Sequence, residues 1–517
     1  MRNRRWLGLV AVSLAVATII VDSTIVNVAV PSIVTDFDAG PTDVLWIQES
    51  YTVVFAALLL TFGGLADAYG RRRLLLVGVV VFTAASVLAA LAPSAAALIG
   101  ARFVQGVGGA MVLPTTLSIV NATFSGRERG IAFAVWGSTI GGMTAVGPLL
   151  GGWLTTDLSW RWAFGINVVL GAAIVVGTLL FVDESRQDGP PRLDVRGAVL
   201  SAVACGALVF GLVEGRELGW WSTRTALEVG SWTWPWSVSP VPVALAVAVV
   251  AGAVFVAVER RRIAAGAPAL LALDLLAISS FRNGNLVALV VALGEFGIVL
   301  VLPIWLQNVL GYSAVQSGLV LLALAGGAFV ASGFAGAQAG KIEPLAVVRW
   351  GLVCEVVGIA GIGLVVSRDT TWLSVVPFLA VYGFGVGLAT AQLTGVILRD
   401  VPVGDSGRAS GTQSTSRQLG SALGIAVVGT LFYSTAQSSL TSSGATGQVV
   451  SAVVGSSGGA IASLTGAVRA AAEDAFSDGT RLAAFAAAAF LLVGLLATRS
   501  LGGRAATAPE RQPAARG

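Results

Sequence analysis

The sequence predicts an all-α integral membrane protein of 14 transmembrane helices, built as two six-helix halves with two additional helices inserted between them. Three observations carry that fold class. The first is composition: of 517 residues, 56% are hydrophobic and 11% charged, with a mean hydropathy of +0.85, whereas soluble domains run to about 45–50% apolar and about 25% charged. The second is that apolar stretches follow one another along the chain, each near the roughly 20 residues that cross a hydrocarbon core of about 30 Å. They lack the apolar and polar alternation of membrane-barrel strands. The third is repetition: "SGRERG" at 125–130 returns as "SGRASG" at 406–411, and the stretch from Gly63 to Gly78 returns loosely from Gly336 to Gly351. The intervals, 281 and 273 residues, are similar, and all four copies fall on one side of the membrane.

The first span follows Arg2, Arg4 and Arg5, and its apolar run continues to Pro31 without a small-residue cleavage site. It reads as an uncleaved span, not as a signal peptide. The spans run roughly over 7–30, 44–66, 74–92, 96–118, 131–154, 163–182, 197–214, 241–258, 284–310, 314–337, 348–367, 372–394, 415–435 and 481–498. The chain divides into a first half (1–195), two additional helices with linkers (196–282), a second half (283–500) and a tail (501–517).

Orientation follows from the basic residues, which are all Arg except Lys341. With the N-terminus inside, the cytoplasmic segments hold 24 of the 31, Arg417 among them, the outer segments hold 6, and Arg102 falls within a span. That asymmetry is what the positive-inside rule demands, so both termini are expected in the cytoplasm and the protein in the cell membrane as a multi-pass chain. The net charge of +4 then faces anionic lipid, not nucleic acid. Cys205 and Cys354 both lie in apolar spans and read as small buried thiols. The outer segment 215–240, with Trp220, Trp221, Trp232, Trp234 and Trp236, reads as an interfacial aromatic belt, with a grip on aromatic substrates as the alternative. The outer segment 436–480, rich in Ser, Gly and Ala, is expected to be partly helical or mobile.

Three motifs stand on these spans. "GGLADAYGRRR" (63–73) ends span 2 with an acid, Asp67, near the membrane surface, a helix-ending Gly70 and three arginines that cannot enter the bilayer. Span 4 carries "RFVQGVGGA" (102–110) and span 5 carries "GSTIGGMTAVGPLLGGWL" (137–154). Gly137, Gly141 and Ala145 make one small-residue face on span 5 for a close neighbour, and Gly147 and Pro148 weaken its backbone ladder; this fits plain packing as well as gating.

These segments resemble the signature motifs of the major facilitator superfamily, and "VDSTIVNVAVP" (21–31) with "SWRWAFGIN" (159–167) resembles its 14-span drug:proton antiporter branch. The resemblance implies that the loop after span 2 is a gate latch, with Gly63, Asp67, Gly70 and Arg71 matching its pattern. It implies that Arg102 and Gly106 belong to the coupling motif of span 4, and that Gly147, Pro148, Gly151 and Gly152 form the exporter motif of span 5. The second-half copy, "GAQAGKIEP" (336–344), departs from the latch: Gly340 stands where Asp67 would align.

Charges inside the spans are few and each costs about 2.5–3.5 kcal/mol at mid-membrane, so each needs a partner, a wet cavity or a use. They are Asp22, Glu49, Arg102, Glu295 and Glu355. Asp22 shares a polar sector of the first helix with Thr18, Ser23 and Asn27, and Arg102, with Gln105 near it on the same face, is its candidate partner. That pair is either static or proton-linked. Glu49 either snorkels to the interface or recognises a cation. Glu295, mid-span with no charge within ten residues, either stays protonated or lines a wet cavity. Glu355 is expected to pair with Arg349 across the helix end or else, with Glu49, Asn27 and Gln105, to line the substrate cavity. Gln307, Asn308, Gln413, Arg417 and Gln418 are weaker cavity candidates.

The chain has no histidine, so a proton relay must use carboxylates, arginine-perturbed acids and water, which makes Asp22, with Arg102 as its partner, and Glu295 the leading carriers. "GSSGG" (455–459) fits a nucleophile pattern, but no Ser-His-Asp triad can form, and no phosphate-binding P-loop is present. No cofactor or metal site is expected. The reading is a monomeric, proton-coupled secondary exporter of drugs or other amphipathic, often cationic, small molecules, working by alternating access. Export of an endogenous lipid or secondary metabolite is the alternative within transport; an intramembrane enzyme is the alternative outside it.

Overall fold

The computed structural model describes residues 2–39, 41–186, 194–229, 232–265, 267, 269–271, 273–338 and 341–501. Gly340 and all but the first residue of the 501–517 tail lie outside the described residues, as do the side chains of Asn27 and Pro148.

The first half is six long helices: α1 (Arg2–Phe37), α2 (Pro41–Tyr69), α3 (Arg71–Ala90), α4 (Ala95–Thr123), α5 (Gly126–Asp157) and α6 (Trp162–Phe181). Two helices follow, α7 (Val195–Val213) and α8 (Pro240–Ala264), joined through a small hairpin of β1 (Glu228–Val229) and β2 (Trp232–Thr233). The second half comprises α9 (Ser279–Asn308), α10 (Ala314–Gln338), α11 (Pro344–Val365), α12 (Trp372–Ile397), α13 (Ser406–Ser442) and, after a short α14 (Gly447–Gly455), α15 (Gly466–Ala497). Among the described residues 13 of these helices are long and apolar enough to cross a membrane. The unbroken 32-residue α5 is the fourteenth long helix.

Local chemistry sets the helix ends. Ser94 caps α4 by accepting from Ala97 N at 3.3 Å, Asp194 caps α7 by accepting from Gly197 N at 2.9 Å, and Ser239 with Pro240 opens α8. Gly70 separates α2 from α3 at φ 109°, a conformation that a side chain would strain. Between these ends the helices bury little by amphipathicity and pack through small residues. A Cβ on Gly358 of α11 would stand 2.6 Å from Tyr382 N of α12, so those two backbones nearly touch. The outward faces are apolar: Val80, Val169, Val249, Val330 and Leu364 are all exposed, as lipid-facing side chains are.

The repeat predicted from sequence is visible in the element order. Ser125 precedes α5 and Ser406 opens α13, the fifth helices of the two halves. The additional pair lies against the seam: Val209 of α7 is buried with Ala56 of α2 and Ala422 of α13. Arg262 of α8 ties it shut by pairing with Asp194 at 2.9 Å.

Helices overrun the sequence-derived spans wherever their ends are polar. α1 continues past Pro31 to Phe37, α13 starts at Ser406 instead of 415, and α15 starts at Gly466 instead of 481. The outer segment 436–480 is helical over most of its length, with Val450, Val453 and Ile461 buried.

Candidate functional site

Asp22, on α1, is fully buried and each of its oxygens is occupied. Arg102 of α4 donates to Oδ2 at 2.6 Å, while Gln105 of α4 and Asn167 of α6 donate to Oδ1 at 3.1 and 2.7 Å. Ser86 of α3 accepts from Gln105 and Asn167 and completes the ring of polar groups. The Arg102 guanidinium also lies 4.5 Å from the Tyr51 ring centroid of α2 and donates to Ile47 O. Five helices of the first half therefore converge on one ion pair sealed from solvent. A pair so fully hydrogen-bonded is expensive to break from either side.

Glu295 of α9 is arranged differently. Thr390 of α12 donates to Oε1 at 3.0 Å and Arg417 of α13 donates to Oε2 at 3.2 Å. Tyr382 donates to the Glu295 carbonyl at 3.2 Å. Arg417 retains 19% side-chain exposure, against 2% for Arg102. Arg417, two residues into the expected span and counted there with the cytoplasmic arginines, is carried into the bundle because α13 begins nine residues before that span. Glu355 of α11 is fully buried, within electrostatic reach of Glu295 and Arg417, and neither of its oxygens has a hydrogen-bond partner among the described residues. Its expected pairing with Arg349 is not formed: Arg349 donates to the Thr498 hydroxyl and carbonyl instead. Two acids thus lie in the field of one guanidinium, which among the described residues binds Glu295. The trio is neutral with one proton aboard and carries a net negative charge without it. Asp22 and Glu295 stand 273 residues apart, the interval of the Gly63 repeat, so the two halves place an acid at matching positions and supply its arginine from different helices.

At the arginine-rich face the halves are bound together. Asp67 of α2 pairs with Arg71 at 2.7 Å and accepts from Gly407 N and Arg408 N of α13 at 2.7 and 2.8 Å, so one carboxylate caps the first turn of the opposite half. Arg71 reaches Val403 O at 2.8 Å, Asn121 donates to Ser406 at 2.8 Å, and Arg129 donates to Leu398 O at 2.6 Å. Gly63 is needed for this closure: a Cβ there would sit 2.6 Å from Gly407 O and from Gly411 Cα. Gly151 packs on Ile25 of α1 and Gly152 on Val315 of α10, so the small residues of α5 face both its own half and the other.

Toward the opposite face a cavity of about 450 Å³ lies between α2, α7, α9 and α13. Glu49 lines it from α2, Leu212 and Glu214 from α7, and Ile425 and Tyr433 from α13. Trp220 also lines it, whereas Trp221, Trp232 and Trp236 are exposed, so one tryptophan of the outer segment faces the cavity and three face outward. Gln307 is exposed, and Asn308 donates to Ser457 O at 3.0 Å; neither is among the cavity-lining residues.

Sequence reasoning assigned no role to Ser86, Asn167, Thr390, Tyr382 or Glu214. Asn167 closes the "SWRWAFGIN" motif, which was a usable signal; a lone serine, threonine or tyrosine in an apolar run gives none. Glu214 stands at a span end, where a charge looks like ordinary interface chemistry.

Two helical halves bound together at one face, with a cavity toward the other and buried acids in each, define a membrane transporter. The family comparisons agree: the Major Facilitator Superfamily family model matches residues 12–425, and the chain belongs to that family. It is 34% identical to the probable actinorhodin transporter of Streptomyces coelicolor over 452 residues, 85% of this chain and 74% of that protein. It is 33% identical to the multidrug resistance protein Stp of Mycobacterium tuberculosis over 432 residues, 83% of this chain and 76% of that one. Among solved structures, the human organic anion transporter MFSD10 superposes with a TM-score of 0.61 at 15% identity, covering 96% of this chain and 99% of its own, which is a likeness of fold.

Proposed function

We propose that the protein is a proton-coupled exporter of drugs or other amphipathic, often cationic, small molecules, working by alternating access as a monomer with both termini in the cytoplasm. The observation that carries this reading is the Glu295, Arg417 and Glu355 trio: Glu295 of α9 is paired with Arg417 of α13, and the buried Glu355 of α11 lies within electrostatic reach of both. A group of that kind changes net charge on gaining or losing one proton, and a charge change inside a bilayer is costly enough to drive a conformational choice. The relatives named for actinorhodin transport and for multidrug resistance support a small-molecule cargo.

The closed arginine-rich face, read as cytoplasmic, makes the described conformation outward-facing. A proton entering from outside is taken up by the trio, and cargo leaves through the opposite face. The latch of Asp67, Gly70 and Arg71 then releases, with Gly63 setting how closely α2 and α13 approach. Gly147, Pro148, Gly151 and Gly152 let α5 shift between α1 and α10. On the inner side the proton leaves and new cargo enters. Asp22 and Arg102, sealed and saturated, hold the first half rigid as a rocking body; Glu295 is the proton carrier.

The test is transport in proteoliposomes bearing an imposed pH gradient, with a permanently charged aromatic cation as cargo. Uphill movement that stops when a protonophore collapses the gradient is expected. A rate indifferent to the gradient overturns the antiport reading.

A further inference from the structure

We propose that the inserted helix pair supplies half of an organic-cation site, in which Glu214 at the end of α7 and Glu49 on α2 hold the positive head of an aromatic cation while Trp220 and the neighbouring aliphatic side chains cover its flat apolar part. This deepens the exporter reading and rests on it for direction of transport only.

Four observations converge. Glu49, Glu214 and Trp220 line the same cavity of about 450 Å³, within the roughly 300–1,000 Å³ typical of small-molecule sites. Glu214 is 2% exposed, and its Oε1, like Oε2 of Glu49, is buried with no hydrogen-bond partner among the described residues. Carboxylate oxygens left in that state are costly, and an arriving cation relieves the cost. Neither nearby cation bonds these oxygens: Arg216 donates to Ser457 at 3.2 Å and lies 3.5 Å from the Tyr433 ring centroid, and Arg102, within electrostatic reach of Glu49, is paired with Asp22. The remaining titratable group of the lining, Glu217, is exposed at the rim, where it raises the local concentration of cations.

Leu212, Leu300 and Ile425 supply the apolar wall, so the site suits a monovalent cation with aromatic bulk better than a small hydrated ion. Leu300 comes from α9 and Ile425 from α13, which means the site spans the first half, the inserted pair and the second half. Rocking of the halves would take it apart. Glu214 stands just beyond the α7 span, and burial, then the charges of Glu49 and Glu217, push its carboxyl up to about 8. A proton therefore competes with the cation for the same oxygens, which makes the acidic side of the membrane the side of release.

The test is binding of tetraphenylphosphonium, whose charge does not titrate, to the full chain in lipid nanodiscs from about pH 6 to about pH 9. In the wild type, affinity should weaken by roughly tenfold per pH unit well below 8. Glu214→Gln should lower affinity at least about tenfold at high pH and flatten the profile. Glu49→Gln should also lower affinity, and it carries the same prediction if the first variant does not fold. Glu214→Asp should restore part of the loss. Wild-type affinity and profile in folded Glu214→Gln, or no binding to the wild type, overturns the site. Intact wild-type binding without proton-driven transport overturns the exporter reading and leaves the site standing.

Discussion

Arg417 of α13 donates to Glu295 of α9 at 3.2 Å, so the acid that the sequence left alone in the middle of a span is held by an arginine from 122 residues further along the chain. The pair is not a copy of Asp22 with Arg102. Asp22 and Arg102 are closed off by Gln105, Asn167 and Ser86, whereas Glu295 and Arg417 lie near a second acid with no hydrogen-bond partner among the described residues, and Arg417 stays partly exposed. The two halves have kept an acid in register, and in the proposed function they put it to different uses, one pair as a brace and the other as a proton site.

The brace makes a stability prediction. Asp22→Asn leaves Arg102 buried without its counter-charge, and removal of one partner from such a pair costs about 3–5 kcal/mol. Thermal unfolding in detergent should show a clear loss, with transport falling in step with the folded fraction. An unfolding temperature unchanged from the wild type would contradict the bracing role.

Closure at the arginine-rich face depends on Gly63. Gly63→Ala places a methyl 2.6 Å from Gly407 O, and the latch must open to admit it. A shift of about 1.5–3 kcal/mol, the worth of a charge-assisted hydrogen bond, moves a two-state equilibrium by roughly 10- to 150-fold. A cysteine placed at Asn121, which bridges the halves through Ser406, should be alkylated faster in the Gly63→Ala background. Equal rates in both backgrounds would rule out the wedge.

The Glu295 and Arg417 pair can be isolated by a double-mutant cycle. Arg417→Gln strands two acids and should destabilise the fold by about 3–5 kcal/mol. Adding Glu295→Gln should recover a large part of that, because one stranded charge has gone. Additive losses in the double variant would mean that the two residues do not interact.

Outside the membrane, Asp36 near the end of α1 binds Arg161 at 2.6 Å and Trp160 at 3.1 Å, and these hydrogen bonds hold its carboxyl below the ordinary value of 3.8. Its contribution to stability is therefore complete above the ordinary value and is lost as pH falls through the lowered one. The difference in unfolding temperature between wild type and Asp36→Asn should be constant from neutral pH to about pH 5 and shrink below about pH 4. A difference growing toward acid pH would reverse the assignment.

The apolar runs made the helices legible, because a bilayer demands about 20 such residues and nothing else in the chain imitates them. What hydropathy could not read was polar helix: the first turns of α13, where Ser406 to Arg417 runs through serine, glycine, threonine and glutamine, look like a loop. With the span begun at 415, Arg417 looked like a residue of the cytoplasmic end, and Glu295 was left without a partner. The Asp22 to Arg102 pairing was legible because both residues stood inside spans with few other charges. Glu355 was not, since Arg349 was its neighbour in sequence while Glu295 and Arg417 were its neighbours in space. Glu214 escaped because only the folding of α7 against the seam turns a span-end acid toward a cavity.

The central claim is that Glu295 carries the proton that drives export, and one comparison tests it most directly. Wild type and Glu295→Gln are reconstituted together with the cation probe, and two rates are measured: uphill transport under an imposed pH gradient, and gradient-free exchange of labelled for unlabelled probe. The account predicts that Glu295→Gln keeps exchange and loses uphill transport by at least about tenfold. Uphill transport at the wild-type rate in Glu295→Gln would contradict it.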